Sequence, residues 1–267
     1  MPVRNEPQAN NGTQVLQRAA VLLRLITANN RMGARLTDLH RLSAIEKPTV
    51  HRILQGLIAE QMVRQDNANK RYYLGPSMYE MGLVAAPKVA LRDICHPHLQ
   101  AIAEQTGDTV FLTIRSGFDG LCIDRAEGGF PIKAFVLDVG RRRPLNVGGG
   151  SLAILSTLPE AEIQRVCSAN ADRIKASFPR YNAADLLRDI AASRARGYAV
   201  KDVLEIPEVR TVAVPICKRG GEAIAAISVA TIRARLDDAR AVTVAGCIAQ
   251  AVAQIENRLD DAHQYRI

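Results

Sequence analysis

Two apolar-faced helical segments meet across a four-residue turn between Thr37 and Ile58, and this arrangement constrains the fold more than any other stretch of the chain. The first segment starts at Thr37, which is placed as an N-cap, and turns Leu39 and Leu42 inward. Ser43-Ala44-Ile45-Glu46 makes the turn. The second segment starts at Lys47, with Pro48 suited to the opening of a helix. Its apolar face carries Val50, Ile53, Leu54, Leu57 and Ile58. Thr49, Arg52 and Gln55 occupy the open face, with His51 to one side.

The flanking segments extend the pattern. Val15, Ala19, Leu22 and Ile26 recur at three- and four-residue steps and predict an amphipathic helix over Thr13–Asn29. Residues 1–12 are polar, contain Pro2 and Pro7, and read as a disordered arm rather than a secretory signal. Downstream, Met62–Gln65 and Lys70–Leu74 read as strands around the turn Asp66-Asn67-Ala68-Asn69. Three helices followed by a hairpin make a winged helix-turn-helix over residues 13–75. A helix of this kind fits the major groove, and short polar and basic side chains in its first turns reach base edges. Lys47, Thr49, Val50, His51 and Arg52 of the third helix, with Lys70 and Arg71 of the hairpin, are the candidate contacts to double-stranded DNA.

Charge agrees with that reading. The chain of 267 residues has a net charge of +8, and residues 1–90 carry 12 basic against 6 acidic side chains. Residues 91–267 carry 23 against 21. A basic head on a near-neutral body is expected where the head meets a polyanion. The plain alternative is a three-helix bundle whose outer face is merely solvated.

Other classes fall away on composition. A 48% apolar and 23% charged chain is neither collagenous nor mostly disordered. With no Trp and 4% aromatics, aliphatic side chains must fill the core. Cys95, Cys122, Cys167, Cys217 and Cys247 are odd in number and share no CxxC spacing, as expected of reduced thiols in a cytoplasmic protein. No apolar run approaches the roughly 20 residues of a membrane span.

Pro76–Ala90 reads as a linker helix, and Val89–Gln105 as a further helix stopped by Gly107. Strands are expected at Thr109–Arg115, Gly120–Ala126, Ile132–Leu137, Arg210–Cys217 and Ala223–Ala230. Helices are expected at Ser151–Thr157, Glu160–Ser168, Ala184–Arg196 and about Leu236–Asp261. Strands mixed with flanking helices argue for an α+β domain on an antiparallel sheet over residues 91–267.

The motifs resemble one known family. "QVLQRAAVLLRLI", "LTDLHRLSAIEKPTVHRILQGLIAEQMV" and "KRYYLG" look like the DNA-binding domain of IclR-type bacterial transcriptional regulators. The family's Lys-Ser-Thr-x-x-Arg pattern stands here as Lys47-Pro48-Thr49-Val50-His51-Arg52, so one hydroxyl is lost. "VGRRRPLNVGGGSLAIL" and "RARGYAVKDVLEIPEVRTVAVPICKRGGEAIAAISVA" are similar to segments of the family's second domain. The resemblance implies a GAF-like domain that binds a small effector and assembles into homodimers or homotetramers. It therefore implies a ligand-responsive regulator of catabolic genes, with no cofactor and no metal.

Carried over position by position, the resemblance puts an effector oxygen on the backbone amides of Gly149 and Gly150. Lys201, Thr211 and Ser228 become the polar side chains, and Ile132, Phe135 and Val209 the apolar wall. Asn146 stands where the family often has histidine, and Lys201 where a pocket aspartate is found in members that bind small oxo acids. Ala230 replaces a pocket serine. Glycines leading into a helix offer free N–H groups at its positive end, and a lysine adds a full charge, so the expected ligand is a carboxylic acid. The alternative is that Lys201 pairs with Asp202, Glu205 or Glu208 and never faces the pocket. Arg141-Arg142-Arg143 is either a solvated loop or an anion guide, and only Arg143 abuts the carried-over site.

Signals of an enzyme are thin. Gly148-x-Gly150-x-x-Ala153 lacks the following strand of a dinucleotide fold. Gly149-x-Ser151 lacks the second glycine of a nucleophile elbow, and no histidine lies between Ser151 and His263. Cys95, His96 and His98 are close in sequence but point apart on a helix unless Pro97 distorts it. A small-molecule hydrolase or oxidoreductase with a basic head, or a ligand sensor that binds protein rather than DNA, are the competing readings.

Overall fold

A computed structural model of the chain describes residues 11–85, 91–134, 136–218 and 221–264. The chain divides into two compact units, Met1–Lys88 and Val89–Ile267. Most of the expected polar arm lies outside the described residues, but Asn11 and Gly12 already belong to the first helix.

The first unit contains α1 (Asn11–Ala28), α2 (Leu36–Ser43), α3 (Lys47–Ala59), β1 (Val63–Gln65), β2 (Tyr72–Leu74) and α4 (Pro76–Ala85). Leu22 and Ile26 of α1, Leu39 of α2, Val50 and Leu54 of α3 and Tyr72 of β2 are fully buried and share one core. Removing any one of the leucines should cost about 2–5 kcal/mol. The start of α2 differs from expectation, because Arg35 is its N-cap and Thr37 lies within its first turn. Leu42 is exposed, and Ile45 of the turn takes a core place instead. Ala44 makes this possible by adopting a left-handed conformation (φ 55°) that redirects the chain into α3.

The hairpin is tied to the helices by backbone. Ala34 exchanges two N–H···O bonds of 2.9 Å with Tyr72, which adds a third short segment beside β1 and β2. The turn is set by Asp66, whose carboxylate accepts from the N–H of Ala68 at 2.8 Å.

The second unit contains α5 (Leu91–Thr106), β3 (Thr109–Ser116), β4 (Asp119–Glu127), β5 (Arg142–Pro144), α6 (Gly149–Ser156), α7 (Glu160–Ser177) and α8 (Ala183–Arg196). It continues with β6 (Ala199–Asp202), β7 (Val209–Cys217), β8 (Ala223–Ile232) and α9 (Asp238–Gln264). The strands form one antiparallel sheet in the order β5-β4-β3-β8-β7-β6. The α+β architecture is therefore as expected.

Helices cover both faces of this sheet. α5 and α9 pack on Leu112, Val212, Ile227 and Val229. α6, α7 and α8 pack on Ala199, Ala213 and Ala226. Burial on both faces explains why "AIAAISVATI" of β8 reads as a nearly unbroken apolar run rather than an alternation.

Several expectations were displaced. The described part of Ile132–Leu137 is not strand, and the third strand of that edge is Arg142–Pro144. β6 was not anticipated, since four residues are too few to show a period. α7 runs nine residues beyond Ser168, because Asn170 continues the buried row of Ile163, Val166 and Ile174 although it is polar. Among the described residues no helix is long and apolar enough to cross a membrane.

Candidate functional site

The first unit presents the open side of α3. Lys47, His51, Arg52 and Gln55 are exposed and Thr49 is half-buried, while Ile53, Leu54 and Leu57 anchor the opposite side. Helical spacing alone produces this division. Lys47, Arg52 and Lys70 make no ion pair with another described residue, so their charges face solvent uncompensated.

Two expected contacts prove to be structural. Val50 is 0% exposed and belongs to the core, as its place on the apolar face requires. Arg71 donates from Nη1 to the carbonyls of Met32 (3.1 Å) and Gly33 (2.9 Å). Those oxygens lie in the turn after α1, and the guanidinium supplies the donors that the backbone there lacks. Lys70 instead projects from the tip of the hairpin, held by a left-handed backbone (φ 56°). Arg64 of β1 stacks on the ring of Tyr73 at 4.5 Å and adds a further cation to the hairpin.

The second unit holds a cavity of about 40 Å³ between the start of α6 and the sheet. Its lining comes from β3 (Phe111, Thr113), β4 (Gly120), β5 (Arg143), the loop into α6 (Val147, Gly148) and α6 itself (Gly149, Gly150, Ser151). Val136, Leu137, Val203, Thr211 and Ser228 complete it. Close packing depends on the glycines. A Cβ on Gly149 would meet Thr211 Oγ1 at 2.1 Å, and one on Gly120 would meet Ser151 Oγ at 2.4 Å. Gly148 enters the helix at φ 93°, a conformation that side chains rarely adopt.

Polar groups converge there without partners. The first intrahelical bond of α6 runs from Leu152 N to Gly148 O, so the amides of Gly149, Gly150 and Ser151 have no helical acceptor. Thr113, Ser151 and Ser228 are buried residues whose hydroxyls open on the cavity and make no hydrogen bond to another described residue. Thr211 donates to the carbonyl of Lys201 at 2.9 Å and keeps its acceptor side. A cavity with this many unmet donors suits an oxygen-rich, anionic guest.

Gly149, Gly150, Thr211 and Ser228 thus line one cavity. Lys201 does not join them. It lies on the same sheet face as Thr211 but on the edge strand, where its ammonium bonds the carboxylate of Asp189 from α8. That partner is none of the three acids weighed from the sequence. Ile132 is 56% exposed and does not line the cavity. Val209 packs with Phe111 and Val203 in the apolar layer beside it, not on its surface. Phe135 lies outside the described residues. The cation that does line the cavity is Arg143, with a side chain 12% exposed.

Thr113, Gly120, Ser151 and Val203 were missed. A signal existed for the first of these: Thr113 follows Phe111 at an inward position of a buried strand, where a polar residue needs a reason. Asn146, also buried, donates to Tyr181 at 3.1 Å and accepts from Asn170 at 3.3 Å, so it braces the loop rather than facing the cavity.

The Cys95–His96–His98 cluster disperses. Cys95 is buried, and its thiol is pushed up to about 12 by desolvation and then by the charge of Asp124. The Nδ1–H of His96 donates to Asp124 at 2.7 Å. Burial and the nearby Arg258 both lower the His98 imidazole from its ordinary range. Among the described residues no three His, Cys, Asp or Glu side chains are grouped to hold a metal.

Known proteins match both units. Residues 15–67 match the IclR helix-turn-helix domain, and residues 84–257 match the bacterial transcriptional regulator IclR C-terminal domain. The HTH-type transcriptional regulator BhcR of Paracoccus denitrificans is 28% identical over 246 residues, covering 92% of this chain and 87% of the relative. A crystal structure of an IclR transcriptional regulator from Alicyclobacillus acidocaldarius superposes with a TM-score of 0.75 at 23% identity, over 91% of this chain and 98% of that one. An IclR homologue from Microbacterium hydrocarbonoxydans, solved with 4-hydroxybenzoate, superposes with a TM-score of 0.73 at 20% identity, over 92% and 99% of the two chains.

Proposed function

This chain belongs to the IclR family of bacterial helix-turn-helix transcriptional regulators, and on that footing we propose that it controls catabolic genes in response to a small carboxylic acid. It acts by binding rather than by turnover, in the cytoplasm, on operator DNA at the nucleoid. Thr49, His51 and Arg52 read bases in the major groove, while Lys47 and Lys70 meet phosphates. Arg64 is a further phosphate contact at the hairpin.

The ligand reading is carried by one observation: three cavity-lining hydroxyls, on Thr113, Ser151 and Ser228, gather beside the free amides of α6 with no partner among the described residues. Hydrogen bonds to a charged acceptor contribute about 1.5–3 kcal/mol each. The helix end adds favourable potential for an anion. The 4-hydroxybenzoate bound by the Microbacterium homologue is a carboxylate of this class.

The working state is a homodimer or homotetramer. α4 supports this, since none of its residues is buried and Tyr79, Met81, Leu83 and Val84 are exposed on it. Two heads then read the halves of a roughly palindromic operator. The acid changes DNA affinity by favouring one spacing of the heads over another.

A thermal-shift panel of aliphatic and aromatic acids, each beside its neutral amide, tests the ligand reading. A ligand at 100 times its dissociation constant should stabilise by roughly 2.7 kcal/mol. Acids should raise the melting temperature of the second unit and amides should not. Equal shifts from acid and amide would remove the carboxylate from the account.

A further inference from the structure

The cavity wall contains a charge pair that the ligand reading leaves unexplained. Arg143 of β5 reaches the turn between β6 and β7, where its Nη2 lies 3.1 Å from Glu205 Oε1. The same nitrogen donates to the carbonyl of Val136. Its Nε and Nη1 have no acceptor among the described residues. The guanidinium is largely buried and lines the cavity, whereas Glu205 is a third exposed and does not. Arg143 is thus a cation at the cavity whose counter-ion comes from the outer turn.

That turn is also cavity wall. Val203 N–H donates to Val209 O at 2.9 Å, closing the loop that carries Glu205, and Val203 itself lines the cavity. The Arg143–Glu205 pair ties this wall to β5. With the wall in place the cavity has room for roughly three water-sized groups, at about 10–15 Å³ each.

We propose that Arg143 is the residue that recognises the carboxylate of the effector, and that Glu205 is a built-in stand-in which the incoming acid displaces. The inference rests on the proposed carboxylate ligand and specifies how it is selected. A carboxylate takes a planar guanidinium through two parallel N–H···O bonds, and Glu205 meets it through one nitrogen. A second oxygen of the ligand meets the hydroxyl and amide cluster at α6. The favoured class is therefore a short acid with another oxygen function, such as a hydroxy acid or a dicarboxylate. Displacing Glu205 frees the turn from β5, so occupancy is read out as movement of the Val203 wall. Desolvation lowers the Arg143 pKa and Glu205 opposes that effect, which agrees with a cation held ready for a second anion.

The test uses the full chain and Glu205→Gln and Arg143→Gln variants, with lactate, succinate and 4-hydroxybenzoate as probes, each beside its amide. Binding is measured by calorimetry, and hydrogen exchange is followed at residues 203–209. Glu205→Gln should bind at least one acid roughly tenfold more tightly than wild type, since the ion-paired carboxylate no longer competes for Arg143. Its turn should exchange faster without ligand, as the wild-type turn should with acid. Arg143→Gln should lose the preference for acid over amide, and Arg143→Lys should restore part of it. Equal acid affinity in wild type and Glu205→Gln, with amides still rejected, would overturn the displacement while leaving the carboxylate reading in place. If no acid binds either protein, the carboxylate reading fails and this inference fails with it.

Discussion

Gly149 lies directly beneath Thr211, so near that a Cβ on the glycine would stand 2.1 Å from the threonine Oγ1 and 2.9 Å from its Cβ. The threonine cannot swing aside freely, because its hydroxyl donates to the carbonyl of Lys201 at 2.9 Å. Gly149→Ala should therefore push the first turn of α6 away from the sheet and disperse the amides. The expected cost is about 1–3 kcal/mol of stability, together with loss of the acid-induced thermal shift. Melting curves with and without acid measure both effects.

Lys70 and Arg71 are neighbours with different work. Lys70 is exposed and unpaired, whereas Arg71 satisfies the carbonyls of Met32 and Gly33. Lys70→Ala should weaken DNA binding about equally across sequences and reduce the slope of log affinity against log salt by about 1. The melting of the first unit should not change. Arg71→Ala should lower that melting temperature, because Gly33 O loses its side-chain donor and Met32 O keeps only the Tyr73 hydroxyl at 3.5 Å. Anisotropy titrations at several salt concentrations, beside thermal melts, separate the two.

Asn170 occupies the one polar place on the buried row of α7, between Val166 and Ile174. Its Nδ2 donates to Phe118 O at 2.8 Å and to Asn146 Oδ1 at 3.3 Å. Asn170→Leu would complete the apolar stripe yet leave Asn146 Oδ1 without that donor and Phe118 O with only the N–H of Leu145 at 2.9 Å. It should destabilise the second unit by about 1–3 kcal/mol, read as a lower urea midpoint.

Cys95 and Cys122 are both buried, and burial pushes both thiols up to about 12. They should resist alkylation at pH 8 while the protein is folded, and Cys167, Cys217 and Cys247 should react first. The linkage also has a sign. The unfolded chain releases these protons near its ordinary value of 9.0, whereas the folded chain holds them to about 12. This contribution is intact below pH 9 and is lost as pH rises toward 12. Mass spectrometry after timed alkylation, and urea melts from pH 8 to 11, check the two statements.

Local periodicity made the head legible. The apolar row of α3 and the basic hairpin lie within one stretch of sequence, and helical geometry alone turns Thr49 and Arg52 outward. What failed were contacts that depend on distant backbone. Nothing near Arg71 announces that carbonyls 38 and 39 residues earlier need donors. In the cavity, the glycines and Ser228 were found through family resemblance, while Thr113 and Ser151 reach it from separate elements of the sheet and helix. Lys201 misled because the family resemblance puts it where a pocket aspartate stands; in the fold it does lie opposite Thr211, but α8 brings up Asp189 as its partner, which no local pattern shows. The end of α7 was missed because Asn170 interrupts the apolar period while remaining buried.

The central claim is that occupancy of the cavity changes DNA binding. It is tested most directly by selecting genomic fragments with the full chain and titrating a recovered fragment with and without an acid identified in the thermal panel. The account predicts a change in dissociation constant of at least about fivefold, a coupling of roughly 1 kcal/mol. Ser228→Ala should diminish that change, and Arg52→Ala should abolish selective binding. A recovered fragment bound equally well with and without an acid that demonstrably occupies the protein would contradict it.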